Sequence, residues 1–458
     1  MSQQHADGSK FDSFEALVRK GDKQALSQLL EAWHPADITE AMQQLPVQLW
    51  PQVVDALADW TKRAQVVTEL EKTAWPDFLS RLQPNVIAKL IKEMESDDAA
   101  DVVGFLSEEQ KHLVLCSLDT AERLSLLQLL GYPEDSAGGI MQLERAQVSH
   151  TANVADAIKT VRSLVEEDVE VLVIWVVDDQ QKLIGSCGLV DLLLHKSTKQ
   201  VVDIMDANVT GVNPLMDQEE VAELFQKYDL LALPVLDAKG RVLGRIVIDD
   251  VVDVLSEEAD EDVLQMAGTS TEELMHPTNV LSVVNVRLPW LFIGLLCSLA
   301  SAFLLHAFED TLKQASILFA FTPVITAMSG NVANQSATLL IRRFATHRVR
   351  LQDVPRFFLR EVRVVLTVGL ILGAVCATVA GLMLSESNWT FAAVVFWALL
   401  AGMLSAVILG VSIPVFLRHL GVDPAVAAGP FVMTLSDIMG IGIYMAVAAP
   451  FIEKLTSP

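Results

Sequence analysis

Hydrophobic residues are distributed very unevenly along the chain. Four uncharged runs occur at Leu288–Phe308, Gln314–Ile341, Val364–Ser385 and Ser387–Leu417, and a fifth, Pro424–Ile452, is interrupted only by Asp437. A helix needs about 20 apolar residues to cross a bilayer, so residues 287–458 read as a five-helix all-α transmembrane domain. Before Arg287 the pattern changes. Residues 1–132 show short apolar helical periods, from Phe11 onward, broken at His-Pro, Leu-Pro, Trp-Pro and Gln-Pro pairs, which predicts an α-helical domain. Residues 136–255 alternate apolar strands with helix-like stretches, and 256–286 form an acidic segment and connecting helix leading into the first span.

Both N-terminal regions repeat internally. SAGGIMQLERAQVSHTANVADAI and VVDIMDANVTGVNPLMDQEEVAEL align on Ile140-Met141 and Ile204-Met205, and each continues into strands, with Gly185 and Gly244 six residues before Asp191 and Asp250. Strands, a D-x-x-G-like turn and an Asp placed to cap a helix read as a β-α-β unit used twice. This α/β pair is similar to tandem cystathionine-β-synthase (CBS) domains. That resemblance implies a sensor module and a possible adenosine nucleotide such as ATP, but Gly188 and Val247 stand where the family's Gly-x-x-Thr/Ser-x-x-Asp/Asn motif has its hydroxyl. Asp206–Asp217 mimics an EF-hand loop, yet it lacks Glu at its twelfth position and contains Pro214, so it reads as the turn entering the second copy. In the helical domain a 61-residue repeat pairs Asp37 with Asp98, Leu45 with Leu106 and Leu57 with Leu118, which predicts stacked helical hairpins.

Charge follows the same division. Residues 1–286 carry 22 bases and 50 acids, and the remaining residues 11 bases and eight acids. A half that acidic repels phosphate backbones, which excludes nucleic acid as a partner and makes cations the expected ones. The four cysteines are dispersed and form neither a disulfide framework nor a zinc pattern. The N-terminus lacks the basic and apolar regions of a signal peptide. Seven Arg residues, from Arg342 to Arg363, separate the second and third spans, so this loop is cytoplasmic by the positive-inside rule. The acidic half is then cytoplasmic and the C-terminus external or periplasmic.

Candidate chemistry lies in three places. Asp437 has 13 uncharged residues before it and 15 after it, near mid-membrane, where a charge costs about 2.5 to 3.5 kcal/mol. No base in the spans neutralises it, so it is protonated, hydrated or facing a cation. In the second span Asn331, Asn334, Gln335 and Thr338 share one helical face, and Pro323 and Gly330 are placed to kink the helix or open its carbonyls. Hard oxygens of this kind suit Mg²⁺, Ca²⁺ or Mn²⁺, and helix packing through amides is the alternative use. Ser96, Asp97 and Asp98 fit a helix N-terminus. Finally, residues 249–262 hold eight carboxylates, among them Asp250, Asp253, Glu257, Glu258 and Asp262, with no base. A solvated acidic helix and a metal-bridging surface are both open readings of that run.

The order of parts, with GNVANQS at Gly330–Ser336 and GPFVMTLSDIMG at Gly429–Gly440, resembles the MgtE family of bacterial magnesium channels over essentially the whole chain from Phe11. Ala333 and Met433 stand where that family usually has Gly and Thr. The resemblance implies a Mg²⁺-selective channel in the inner membrane, a homodimer whose paired Asp437 carboxylates hold a largely hydrated ion, with Asn331, Asn334 and Gln335 lining the path. It also implies closure by cytosolic Mg²⁺ bridging Asp97, Asp98, Asp101, Asp250, Asp253, Glu257, Glu258 and Asp262. A proton- or sodium-coupled carrier in which Asp437 titrates is the alternative, and a membrane-anchored receptor is a further class that leaves Asp437 without a use. No phosphate-binding loop, nucleophile elbow or His-rich motif supports an enzyme.

Overall fold

The computed structural model of the chain describes residues 2–166, 169–270, 273, 280–309, 313, 318–345, 351–383, 389–427 and 429–451. It divides into two compact units, Met1–Glu258 and Ala259–Pro458.

The N-terminal unit opens with a stack of short helices: α1 (Ser2–Lys20), α2 (Lys23–Glu31), α3 (Pro35–Gln43), α4 (Trp50–Ala56), α5 (Trp60–Thr68), α6 (Trp75–Leu79), α7 (Pro84–Ile91), α8 (Ser96–Gly104), α9 (Glu108–Ser117) and α10 (Thr120–Leu129). The prolines that interrupt the apolar pattern start helices. Pro35, Pro51, Pro76 and Pro84 each occupy a first turn, where the missing N–H has no intrahelical partner to lose. The two Trp-Pro pairs are built alike, with the Trp50 indole donating to the Leu45 carbonyl at 3.0 Å and Trp75 to Val67 at 3.2 Å. The 61-residue repeat is visible in the packing: Leu45, Leu57, Leu106 and Leu118 are all buried, and Asp37 and Asp98 sit in the first turns of α3 and α8.

The α/β pair follows. Its first copy holds β1 (Ala146–Ser149), α11 (Val154–Val165), β2 (Val173–Val177), β3 (Leu183–Gly188) and α12 (Leu189–Leu194). The second holds α13 (Gln218–Tyr228), β4 (Ala232–Leu236), β5 (Val242–Val247) and the start of α14 (Ile248–Ala267). In the first copy β1 runs parallel and β3 antiparallel to β2; in the second β4 and β5 are antiparallel, and a parallel bridge from Val212 to Val235 stands in for β1. Register shifts fall at matching places, Val176/Val177 and Val235/Leu236. Asp178 and Asp237 nucleate equivalent turns, each carboxylate accepting two backbone N–H bonds. Gly240 takes the positive φ there, and Gln181 takes it in the first copy.

The copies exchange segments. Asp206, from the lead-in to the second copy, pairs with Ser186 of β3, and Gln142, from the lead-in to the first, pairs with Arg245 of β5. This crossing explains the two aligned glycines. A Cβ at Gly185 would lie 2.8 Å from the Asp206 carbonyl oxygen, and one at Gly244 2.4 Å from that of Gln142. Within the EF-hand-like stretch Asp206 accepts from Asn208 N and Asp217 caps α13, which are the bonds of a turn.

The C-terminal unit contains the end of α14 and five long helices: α15 (Val280–Ala307), α16 (Leu318–Ala345), α17 (Val354–Met383), α18 (Trp389–His419) and α19 (Pro430–Ala448). Spans within α15, α17 and α18, and Phe431–Phe451, which includes most of α19, are long and apolar enough to cross a membrane. α16 falls short on composition because of its polar stripe, although it is 28 residues long. Its core-facing side packs against α18 through glycines: a Cβ at Gly402 would lie 2.8 Å from the Ser329 hydroxyl, and one at Gly410 2.4 Å from the Ala333 carbonyl. Ser329, Ala333, Ser336, Ala337 and Leu340 are consequently buried, while Asn331 and Gln335 are exposed. Pro323 and Gly330 both lie inside α16, and Pro323 has no N–H to give the Phe319 carbonyl. α16 is one continuous helix through both, with Thr326 donating to the Thr322 carbonyl at 3.1 Å.

Candidate metal sites

Helix α8 begins at Ser96, as its Ser-Asp-Asp start predicts, but Ser96 does not cap it. Its hydroxyl accepts from Leu143 N at 2.7 Å and donates to Glu144 at 2.7 Å, tying α8 to the segment that leads into β1. That tie leaves Glu95, Asp97 and Asp98 with carboxylate oxygens within 4.8 Å of one another, a spacing that suits a shared cation. Asp97 is buried, and its Oδ1 has no hydrogen-bond partner among the described residues. Asp250, in the first turn of α14, joins through Gln142, whose amide donates to Glu95 at 2.6 Å and to Asp250 at 3.2 Å. Gln142 is held in turn by the buried Arg245, which donates to its Oε1 at 3.0 Å. The exchange between α/β copies therefore carries the side chain that links helical-stack acids to those of α14.

Crowded, desolvated carboxylates resist ionisation. Burial first, and Asp250 second, hold Asp97 well above the usual carboxylate range. Burial and then Glu95 push Asp98 up to about 7, and burial and then Asp249 push Asp250 up to about 8. Glu95 is raised by burial, with Arg245 pulling the other way. Such a group holds either protons or a cation, and carboxylate oxygens are the ligands Mg²⁺ prefers.

The other predicted acids are placed differently. Asp101 and Glu257 are brought together, but around Lys72, whose Nζ lies 3.0 Å from one and 3.1 Å from the other. Burial opposes the Lys72 charge, yet Asp101 and Glu257 outweigh it and raise its pKa. Asp253 is exposed and raised by partial burial and then by Glu257. Glu258 accepts from the Gln218 amide at 2.7 Å. Asp262 lies in the other unit, pushed up to about 6 by burial and then by Asp423. Glu95, Gln142, Arg245 and Lys72 are the residues that sequence reasoning missed. Glu95 directly precedes the Ser-Asp-Asp run and could have been included with it; the other three carry no local signal.

In the C-terminal unit, Asp437 of α19 is half-buried and faces Gly330 of α16, where a Cβ would lie 3.4 Å from its Oδ1. Asn331 and Gln335 lie on the exposed face of α16. Asn334 plays a structural part, since its Oδ1 accepts from Gly429 N at 3.2 Å and so fixes the start of α19. Gly429 has φ +78°, and a Cβ there would lie 2.2 Å from the Met266 carbonyl oxygen, so the position requires glycine.

A polar-striped helix, α16, packed against a helix that carries an intramembrane acid, α19, in a chain with an acidic helical stack and an α/β pair before them, fits a membrane protein that moves cations. Family models agree: "Divalent cation transporter" matches residues 322–447, "MgtE intracellular N domain" residues 33–135 and "CBS domain" residues 201–257. The magnesium transporter MgtE of Thermus thermophilus is 33% identical over 97% of this chain and 98% of its own length, and that of Bacillus subtilis is 30% identical over 96% of each. Among solved structures, the soluble part of a magnesium transporter covers 55% of this chain and 99% of that one at 26% identity and a TM-score of 0.50. The cytosolic domain of the Mg²⁺ channel MgtE in complex with ATP covers 53% and 99% at 31% identity and a TM-score of 0.50. The chain belongs to the MgtE family of magnesium transporters, and its work is transport, not catalysis.

Proposed function

We propose that the chain is a Mg²⁺-selective channel, assembled as a homodimer in the inner membrane, with cytoplasmic N-terminal domains and an external C-terminus. Residues 1–132 form the acidic regulatory domain, 136–255 the CBS pair, 256–286 the connecting segment and 287–458 the pore domain. Asp437 from each copy faces the ion, which keeps most of its waters because Mg²⁺ dehydrates reluctantly. Asn331 and Gln335 line the same path, and Asn334 holds the N-terminus of α19 beside it.

Cytosolic Mg²⁺ closes the channel by binding between the helical stack and the start of α14. The observation that carries this gate is the crowding of the Glu95, Asp97 and Asp98 carboxylates around a buried Asp97 oxygen that has no partner among the described residues, with Asp250 joined to them through Gln142. With the metal bound, carboxylates from distant parts of the chain attract; without it they repel, and the arrangement loosens. An ion stabilises only the state it binds better, so the gate works by that difference in affinity. Asp253, Glu258 and Asp262 add negative charge along α14. Asp101 and Glu257 act through Lys72. The ATP complex of a cytosolic domain 31% identical to this chain supports a nucleotide at the CBS pair beside the Mg²⁺ gate, although Gly188 and Val247 offer it no hydroxyl.

Flux in proteoliposomes, with Mg²⁺ set separately on each side, tests the reading. A channel passes Mg²⁺ down its gradient without a proton or sodium gradient, and millimolar Mg²⁺ on the cytoplasmic face stops it. Flux that requires a coupling gradient would instead assign a carrier.

A further inference from the structure

The face of α19 that carries Asp437 carries a second side chain that the transport reading leaves without a role. Met433 precedes Asp437 by one helical turn, about 6 Å along the axis. Both point toward Gly330: a Cβ there would lie 3.1 Å from Met433 Cγ and 3.4 Å from Asp437 Oδ1. Met433 is 36% exposed, while Val432 and Ser436 beside it are buried. Arg342 and Arg343 end α16 and Arg418 ends α18, so the first turn of α19, which follows Arg418, lies on the basic, cytoplasmic side. An ion leaving Asp437 for the cytoplasm along the Asn331 face passes Met433 next.

We infer that Met433 forms an apolar constriction on the cytoplasmic side of Asp437 and limits the rate at which hydrated Mg²⁺ passes. The inference rests on Asp437 being the pore carboxylate. A thioether cannot replace a water of hydration around a hard cation, and an apolar narrowing disfavours water in the path. Methionine is unbranched and flexible, so it can fill the space that the missing Gly330 side chain leaves. A shorter side chain with a hydroxyl widens the passage and offers a hydrogen bond to the ion's water shell.

The test uses the full chain in proteoliposomes, with Mg²⁺ as the only divalent ion and none on the cytoplasmic face, so that the regulatory acids are unloaded. Met433→Thr should pass Mg²⁺ several-fold faster than the wild type, and Met433→Phe more slowly. A folding defect only lowers flux, so the gain in the Thr variant is not open to that explanation. Flux through Met433→Thr at or below the wild-type rate, from protein with an unchanged size-exclusion profile, overturns the inference. So does a gain that appears only with Mg²⁺ on the cytoplasmic face, because the residue then acts on the gate. Asp437→Asn in the same preparation separates the two levels. If it conducts, the transport reading fails and takes the constriction with it; if it is silent while Met433→Thr matches the wild type, only the constriction fails.

Discussion

The chain holds carboxylates in two contrasting ways. In the N-terminal unit Glu95, Asp97 and Asp98 crowd together around a buried Asp97, and Gln142, held by Arg245, links them to Asp250. In the C-terminal unit Asp437 is the only acid of its span, faced by a glycine of α16, with a methionine one turn before it on its own helix. A crowded group can hold an ion by itself, and its occupancy reports concentration. A lone acid holds a hydrated divalent ion weakly, which suits passage, and a second copy of the chain is what supplies another charge. On the proposed reading, tight and loose binding of one cation would follow from how many carboxylates the fold assembles.

The sharpest way to break this comparison is to remove the lone acid. Asp437→Asn keeps the shape and deletes the charge that offsets ion desolvation. Mg²⁺ uptake should fall to background while the protein stays folded and monodisperse. Normal uptake would reduce Asp437 to a helix-packing residue.

Neutralising the crowded group should have the opposite consequence. In an Asp97→Asn, Asp98→Asn, Asp250→Asn variant the repulsion is gone, but so is the attraction that a bridging ion supplies, and neutral amides cannot replace it. The variant should conduct at cytosolic Mg²⁺ levels that shut the wild type, and Mg²⁺ should no longer protect its N-terminal unit from protease. Closure at the usual Mg²⁺ concentration would show that these acids are only a strained helix start.

The two regions also differed in legibility. Asp437 could be found from sequence because a charge in an uncharged run is a local signal, and the amide face of α16 because helical spacing gathers it. The stacked helices, the duplicated α/β unit and its aligned glycines were legible for the same reason, as periodicity and repetition. The crowded acidic group was legible only in fragments. Asp98 and Asp250 are 152 residues apart, and the side chains joining them, Gln142 and Arg245, meet through a strand exchange that leaves no mark in local composition. Lys72 went unnoticed because a lone lysine in an acidic half is unremarkable until the fold sets it between Asp101 and Glu257.

Lys72 sharpens the comparison further, being a fixed cation where the neighbouring acids await a mobile one. Its side chain is about a third exposed, so solvent screens part of the pairing. Hydrogen bonds to charged groups contribute about 1.5 to 3 kcal/mol when well formed, and exposure places this pair toward the lower figure. Lys72→Met should therefore leave closure possible but shift the Mg²⁺ needed for protease protection upward by several-fold. A midpoint that does not move would make the lysine a surface pair without a part in the gate.

The smallest expected effect is on pH, and its sign separates a proton-loaded group from a solvated surface. Asp98 at about 7 and Asp250 at about 8 hold protons in the assembled arrangement that ordinary exposed carboxylates, near 4, have already released. The assembled state therefore binds more protons than the separated one between about pH 4 and 8, and its stability falls as pH rises through that window. In EDTA, the N-terminal unit should be more protease-resistant at pH 6 than at pH 8.5. Mg²⁺ must displace the same protons, so its apparent affinity should rise over that interval, and added Mg²⁺ should restore at pH 8.5 the protection that deprotonation removed. Lys72, whose pKa is raised by Asp101 and Glu257 against the opposing effect of burial, keeps its charge throughout the interval and does not reverse the direction. Protection in EDTA that is equal at the two pH values, with the Mg²⁺ midpoint also fixed, would mean that Asp98 and Asp250 titrate as ordinary surface acids and that the crowded group is not where the ion is sensed.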